Sequence, residues 1–386
     1  MIKRILFFIL FFLISNVYAN TVDVPPPIYL NQLQVPAGFK ITVFARIPNI
    51  RQITMGGDGI IYAGSSHHQG NNAVYAIQPS ADYTHVVKMY KLVEGLDAPI
   101  GVAYYNHDLY IGEQFKIQKI PNVSDNWQHP DKITVVTIID NIPPPQTDFS
   151  HSRKYLKFGP DGRLYFQVGD PVNSSQSDNP IIQTMLSIKP DGSDLQIYSH
   201  GIRNIVGFDW QPDTNVLWFS DNGQDDLGDT FPPDEINRAP VSGMNFGFPC
   251  YIGNNVPVTK YTNCPPVNEV TPPAAELDAH SAPLGLTFYR GTQFPNEYHN
   301  NMFLAQHGSS IRHDKLTGYQ VLRVVVNNDK VVNVEPFISG WSEGTNFWGR
   351  PVDVAELPDG SLLISDDYSG TIYRLAYDQS LAKVSR

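Results

Sequence analysis

A short motif of strand, polar turn and strand recurs along the chain, and its recurrence limits the fold more than any other feature of the sequence. Residues 151–170, HSRKYLKFGPDGRLYFQVGD, display it most plainly. Aromatic and aliphatic residues fill 155–158 and 164–168, and Gly159-Pro160-Asp161-Gly162 supplies the turn between them. Residues 53–62, 102–111, 208–219 and 354–364 repeat the pattern, and residues 286–305 carry a sixth copy with a longer loop. Successive copies stand roughly 50 to 80 residues apart, which leaves room for one four-stranded sheet each with outer loops of variable length. The expected fold is all-β, a six-bladed β-propeller. One blade cannot bury both of its faces alone, so the ring folds as a unit and residues 39–386 are expected to form a single domain.

Ahead of that domain, residues 1–19 read as a secretory signal peptide: Lys3 and Arg4, an apolar run over 5–14, then Ala19 at a small-residue cleavage site. The run is shorter than the about 20 apolar residues that span a bilayer, although an uncleaved anchor is the alternative. The expectation is export, to the periplasm or beyond the cell, with no stable membrane insertion after cleavage. Residues 20–38 are Pro-rich and read as an extended lead-in. Residues 39–44 read as the first strand, placed beside the last blade near 368–375 to close the ring.

Removing residues 1–19 takes the formal charge from −11 to −13, an acidic surface that argues against nucleic acid as a partner. Cys250 and Cys264, the only cysteines, lie close together in a Pro- and Asn-rich loop, and they are expected to pair as a disulfide in an oxidising compartment.

Polar residues stand just before several of the expected inner strands: Arg51, His151, Arg203 with Asn204, His280 and Arg350. The innermost strands of a propeller line one channel, so residues at equivalent repeat positions converge on one cavity however far apart they are in sequence. A base, several cations and an amide at one mouth suit a polyanionic cofactor and a substrate proton. Loops at 143–150, 173–179, 225–233 and 254–279 exceed what blade turns require, and long loops on a rigid ring build sites.

Gly201-Ile202-Arg203-Asn204, Ser220-Asp221-Asn222-Gly223 leading to Asp234-Glu235-Ile236-Asn237, Met244-Asn245-Phe246-Gly247-Phe248-Pro249, and Gly349-Arg350-Pro351 with Asp366-Asp367, taken together with 151–170, resemble the soluble quinoprotein glucose/sorbosone dehydrogenase family. Residues 280–286, HSAPLGL, and 306–309, QHGS, are similar to its sorbosone and pyranose dehydrogenase branch. The resemblance implies oxidation of a sugar or polyol, or a related aldehyde hydrate, by pyrroloquinoline quinone (PQQ) held on Ca2+ over the channel. It also implies an electron acceptor, a soluble cytochrome or a quinone. By the same resemblance His151 is the general base, and Arg203 is the cation beside the quinone carbonyls. Arg203, Asn204, Arg350, Arg51, His280 and His307 are the cofactor contacts. Calcium would sit at Gly223 and Gln224, whose main-chain carbonyls occupy the place of the family's metal loop, with Asp225 opening the acidic stretch 225–229. Gln224 departs from the glucose dehydrogenase pattern, in which a Pro is expected.

Plainer readings stand beside these. His151 could be a hydrogen-bonded structural residue, Arg203 and Asn204 an interblade pair, Arg350 a brace at ring closure, His280 and His307 packed side chains, and the acidic loop a solvated surface. Two other functions fit the same scaffold: a calcium-dependent lactonase or other hydrolase, and a non-enzymatic propeller that binds a glycan or protein.

Overall fold

A computed structural model of the chain describes residues 28–66, 72–144 and 151–382. The expected signal peptide and most of the loop at 143–150 lie outside these residues. Six sheets form the blades of a propeller, antiparallel except where Met244–Asn245 joins the third in parallel beside Gln196–His200. Their inner hairpins are Ile50–Met55 with Ile61–Ser65, Gly101–Tyr105 with Asp108–Gly112, Lys157–Phe158 with Leu164–Val168, Phe208–Trp210 with Leu217–Asp221, Pro283–Phe288 with Met302–Gln306, and Pro351–Glu356 with Leu362–Asp366. These are the six hairpins read from the sequence, and we number the blades 1 to 6 in that order.

The apolar core is divided among the blade interfaces. Six clusters of buried side chains each join two neighbouring blades, the last joining blade 6 to blade 1. Strand alternation explains this: Ile61 and Ala63 face blade 6, whereas Tyr62 between them faces blade 2. Every residue of the strand Ile61–Ser65 is therefore buried, and the blade is stable only when flanked on both sides.

The ring is closed by its first strand. Phe39–Arg46 pairs antiparallel with Thr371–Tyr377 on the outside of blade 6, with Phe39 opposite Tyr377 and Val43 opposite Tyr373. Phe39 also packs edge to face on Phe294 of blade 5, at a centroid distance of 4.7 Å. Within the lead-in, Leu30–Gln32 forms one turn of 3-10 helix and Gln34 bridges Ser339. Cys250 and Cys264 are bonded. Among the described residues no helix is long and apolar enough to cross a membrane.

Blade 3 departs from the expected strand at 155–158, because only Lys157–Phe158 joins the sheet. The side chain of Gln52 takes the place of a ladder partner. Its Nε2 donates to the Leu156 carbonyl at 2.6 Å, and its Oε1 accepts from the amides of Leu156 and Val102 at 3.0 Å. Residues 152–156 are thus left unpaired in the sheet, and they carry His151 to one end of the channel.

Candidate active site

That end of the channel holds a cavity of about 310 Å³. Of the residues singled out in the sequence, His151, Arg203, Asn204, Gly223, Asp225, His280, His307 and Arg350 line it, and Arg51 and Gln224 do not. A larger cavity of about 450 Å³ lies at the opposite ends of the inner strands. Its cations, Lys157 and Arg290, are already spent on the fully buried Asp209, at 2.7 and 2.8 Å. The unspent charge is at the His151 end.

His151 and Arg203 are brought together over Gly169. A Cβ at 169 would stand 2.7 Å from His151 Cβ and 2.5 Å from the Arg203 carbonyl oxygen, so only glycine permits the approach. The amide of Asp170 donates to the same Arg203 oxygen at 2.9 Å, and the Asp170 carbonyl lies 2.7 Å from His151 Nδ1. A carbonyl can only accept. Nδ1 therefore carries the proton, and Nε2 is left with a lone pair. Burial first, and the nearby Arg203 charge second, lower the His151 pKa to about 3, so the ring is neutral at ordinary pH.

The family-like motifs around Arg203 interlock. Gly201 has φ +69, and a Cβ there would meet Asn245 Oδ1 at 2.3 Å, which accounts for the glycine. Phe246 N donates to His200 O and Phe248 N to Gly201 O, so residues 244–249 clamp the turn that precedes Arg203. Asp221 completes the turn by accepting from the amides of Arg203 and Asn204 at 3.0 and 2.6 Å. The Arg203 guanidinium, 4% exposed, donates to Asn173 O, Asn173 Oδ1, Asn222 O and Asp225 Oδ2. Its position is set from four sides.

Arg350 faces the same cavity under different constraints. Nε and Nη2 donate to the carbonyls of His307 and Gly308, and the guanidinium lies 5.7 Å from the ring centres of Tyr319 and Phe347. Among the described residues no carboxylate reaches ion-pair distance of it. Burial lowers its pKa, the mark of a cation short of countercharge. Arg51 is different. It lies within the first strand of blade 1 rather than before it, and its Nη1 is bound by Asp367 Oδ2 at 2.6 Å. Asp367 Oδ1 takes His307 Nε2 at 2.8 Å, so Arg51 acts on the cavity wall through Asp367. His280 Nε2 lies 2.8 Å from the Gly228 carbonyl, which ties it to the acidic loop.

At the expected metal loop, Gly223 N donates to Asp234 Oδ1 at 2.8 Å. Asp234 Oδ2 accepts from Ser281 Oγ and Ala282 N across the cavity floor. The carbonyl oxygens of Gly223 and Gln224 accept no hydrogen bond among the described residues. Free carbonyls of this kind suit a hard cation. The Gln224 side chain points elsewhere: its Nε2 donates to Asp226, and its buried Oε1 has no partner among the described residues. Among the described residues no cluster of three or more His, Cys, Asp or Glu is arranged to hold a metal.

Several residues of the site were not assigned from the sequence. Asn173 and Asn222 fix Arg203, Asp234 fixes Gly223, and residues 308–311 form a wall. Asp221, Asn222 and Asp234 lie in motifs quoted above, and Asn173 opens one of the long loops. Their roles depend on contacts between blades, which no local pattern reveals.

A propeller whose channel mouth gathers a neutral imidazole, the buried guanidinium of Arg203 and the half-buried one of Arg350 is similar to the sugar dehydrogenases. Residues 122–374 match the Glucose / Sorbosone dehydrogenase family. A protein of Borreliella burgdorferi described as uncharacterized is 34% identical over 383 residues, covering 95% of this chain and 96% of that protein. The aldose sugar dehydrogenase YliI of Escherichia coli is 28% identical over 206 residues, covering 52% and 47% of the two chains. The PQQ domain of pyranose dehydrogenase from Coprinopsis cinerea shares the fold with TM-score 0.72 at 16% identity, covering 91% of this chain and 98% of that one. This chain belongs to the glucose/sorbosone dehydrogenase family.

Proposed function

We propose that this protein is an exported quinoprotein that oxidises a sugar, or a related alcohol or aldehyde hydrate, with PQQ and Ca2+. The observation that carries the reading is His151. It is neutral, its Nδ1 is occupied by the Asp170 carbonyl, and its Nε2 is free to take the hydroxyl proton of a sugar in the cavity. PQQ, when bound, supplies the two-electron acceptor for the hydride.

Arg350 and Arg203 would hold the anionic cofactor. Arg350 has no carboxylate of its own and stands ready for one from outside, for which a planar guanidinium is well shaped. Arg203 is pinned beside His151 and would stabilise negative charge developing on the quinone oxygens. Asn204 adds an amide to the same edge, and His307 and His280 complete the walls. The free carbonyls of Gly223 and Gln224, with Asp225 beside them, are the donors for calcium. A lactonase that works with calcium alone has no use for two guanidinium groups at the mouth. Export agrees with the Cys250–Cys264 disulfide, and a soluble cytochrome or a quinone would collect the electrons.

The test adds PQQ and calcium chloride to purified protein and follows reduction of an artificial dye with a panel of aldoses. Dye reduction that requires the quinone and is lost in His151→Ala is expected. Lactone hydrolysis with calcium alone, and no quinone-dependent oxidation, would replace the proposal with the hydrolase reading.

A further inference from the structure

Beside Arg350 the rim carries an aromatic shelf that the proposed chemistry leaves unused. Tyr29 meets Trp348 edge to face at 5.6 Å, and Phe347 meets both Tyr368 and Tyr319 at 4.9 Å. Tyr29 and Tyr368 are 40% and 45% exposed, high values for large rings. A hollow of about 330 Å³ lies among Tyr29, Phe347, Trp348 and Tyr368, and Gln32, Glu343 and Asn346 make the rest of its wall. The hairpin formed by Ser342–Glu343 and Asn346–Phe347 holds that wall, turning through Gly344 at φ +60.

The shelf adjoins the His151 cavity. Arg350 lines the cavity and also lies against Phe347. Tyr368 directly follows Asp367, the residue that fixes His307 in the cavity wall.

The chemistry of the hollow selects its ligand. Apolar ring faces bordered by two amides and one carboxylate match a pyranose, whose C–H faces pack on aromatic rings while its hydroxyls bond to the rim. No Lys or Arg lines the hollow, so a phosphate or nucleotide is not matched. Its concave form and size suit a small ligand rather than a flat protein surface.

We propose that the shelf binds a second sugar ring, so that the substrate is an oligosaccharide of pyranose units. Its terminal ring enters the His151 cavity, and the next ring rests on Phe347, Trp348 and Tyr368. The inference relies on the sugar dehydrogenase reading for the terminal ring, whereas binding on the shelf needs no quinone.

Titration calorimetry of the protein without cofactor tests it, using glucose, maltose, maltotriose, cellobiose and cellotriose. At least one series is expected to bind about 10-fold more tightly as the trisaccharide than as glucose. In Tyr368→Ala that ratio falls about 2- to 10-fold, the worth of one stacking ring, and Asn346→Ala lowers it in the same direction. Equal binding of glucose and both trisaccharides, or a ratio unchanged in both variants, overturns the inference. Oligosaccharide binding without quinone-dependent oxidation would keep the shelf and remove the dehydrogenase reading; oxidation of glucose without preference for longer sugars would do the reverse. A Tyr368→Ala protein that loses only its rate of cytochrome c reduction would assign the shelf to the electron acceptor and overturn the proposal.

Discussion

His151 and Arg203 are linked through the main chain of one residue: Asp170 accepts from the imidazole at 2.7 Å and donates to the arginine carbonyl at 2.9 Å. The two residues belong to different blades, yet the His151 ring and the Arg203 main chain are held to one another by backbone alone. No rotamer of Asp170 is involved, because its carboxylate is occupied by Val172 N, Ser175 and Gln183.

The sharpest consequence concerns Gly169. In Gly169→Ala the new methyl must displace either the His151 side chain or the Arg203 carbonyl, each less than 3 Å from the ideal Cβ position. Turnover should fall about 100-fold or more, since a small misplacement of a base is costly to the rate. Circular dichroism and thermal melting should show the fold retained, because the change lies at the channel mouth and outside the six apolar clusters. A variant with unaltered turnover would refute the account of how the base is placed.

Replacing His151 by Ala should lower kcat by about 10²- to 10⁴-fold, the range for losing a general base. Its titration offers an independent check. In the folded protein without cofactor the imidazole takes a proton only near pH 3, whereas an unfolded histidine does so near its ordinary value of about 6.5. Unfolding therefore takes up a proton between those values, and the stability owed to neutral His151 is full above pH 6.5 and lost as the pH falls toward 3. The difference in unfolding free energy between wild type and His151→Ala should shrink over that window. Nitrogen NMR should show Nδ1 protonated and no imidazolium signal from this residue at pH 5.

Arg350 and Arg51 should separate by experiment. Arg350→Met removes a cation that is short of countercharge, so PQQ affinity should fall about 10- to 100-fold, the worth of a charge-assisted contact, with little loss of stability. Arg51→Met instead takes an ion-pair partner from the half-buried Asp367, which keeps His307. It should lower the melting temperature and disturb His307 with a smaller effect on cofactor affinity. Equal losses of affinity in the two variants would return Arg51 to the set of direct contacts.

The disulfide should act on the site as well as on stability. Tyr261 and Asn263, beside Cys264, bond to Ser174 and Gln176, and the adjoining Asn173 holds the Arg203 guanidinium. A paired Cys250→Ser and Cys264→Ser change should cost about 3 kcal/mol, the value for a loop of this length. It should also weaken PQQ binding, measured by equilibrium dialysis, through a looser Asn173.

The propeller was legible in the sequence because each inner hairpin is local: Leu164–Val168 and its turn are specified within one stretch of chain. Convergence of His151, Arg203 and Arg350 followed from equivalent places in the repeat. Arg51 shows where that logic stops, since a residue two positions into a strand points to a neighbouring carboxylate rather than into the mouth. Gln52 was invisible for a related reason. Its amide substitutes for main-chain partners in two other blades, and a glutamine in a strand gives no sign of such a task. Asn173 and Asp234 form contacts whose partners are fixed only when neighbouring blades meet.

The seam at Phe39–Arg46 gives this architecture an order of assembly. The earliest strand of the ring has no mate until Thr371–Tyr377 exists, and a closure across that much chain carries a large loop-closure entropy. A nascent chain cannot lock prematurely, and a truncation that removes Thr371–Tyr377 leaves Phe39 and its companions without a place to go. The protein should therefore accumulate either whole or not at all.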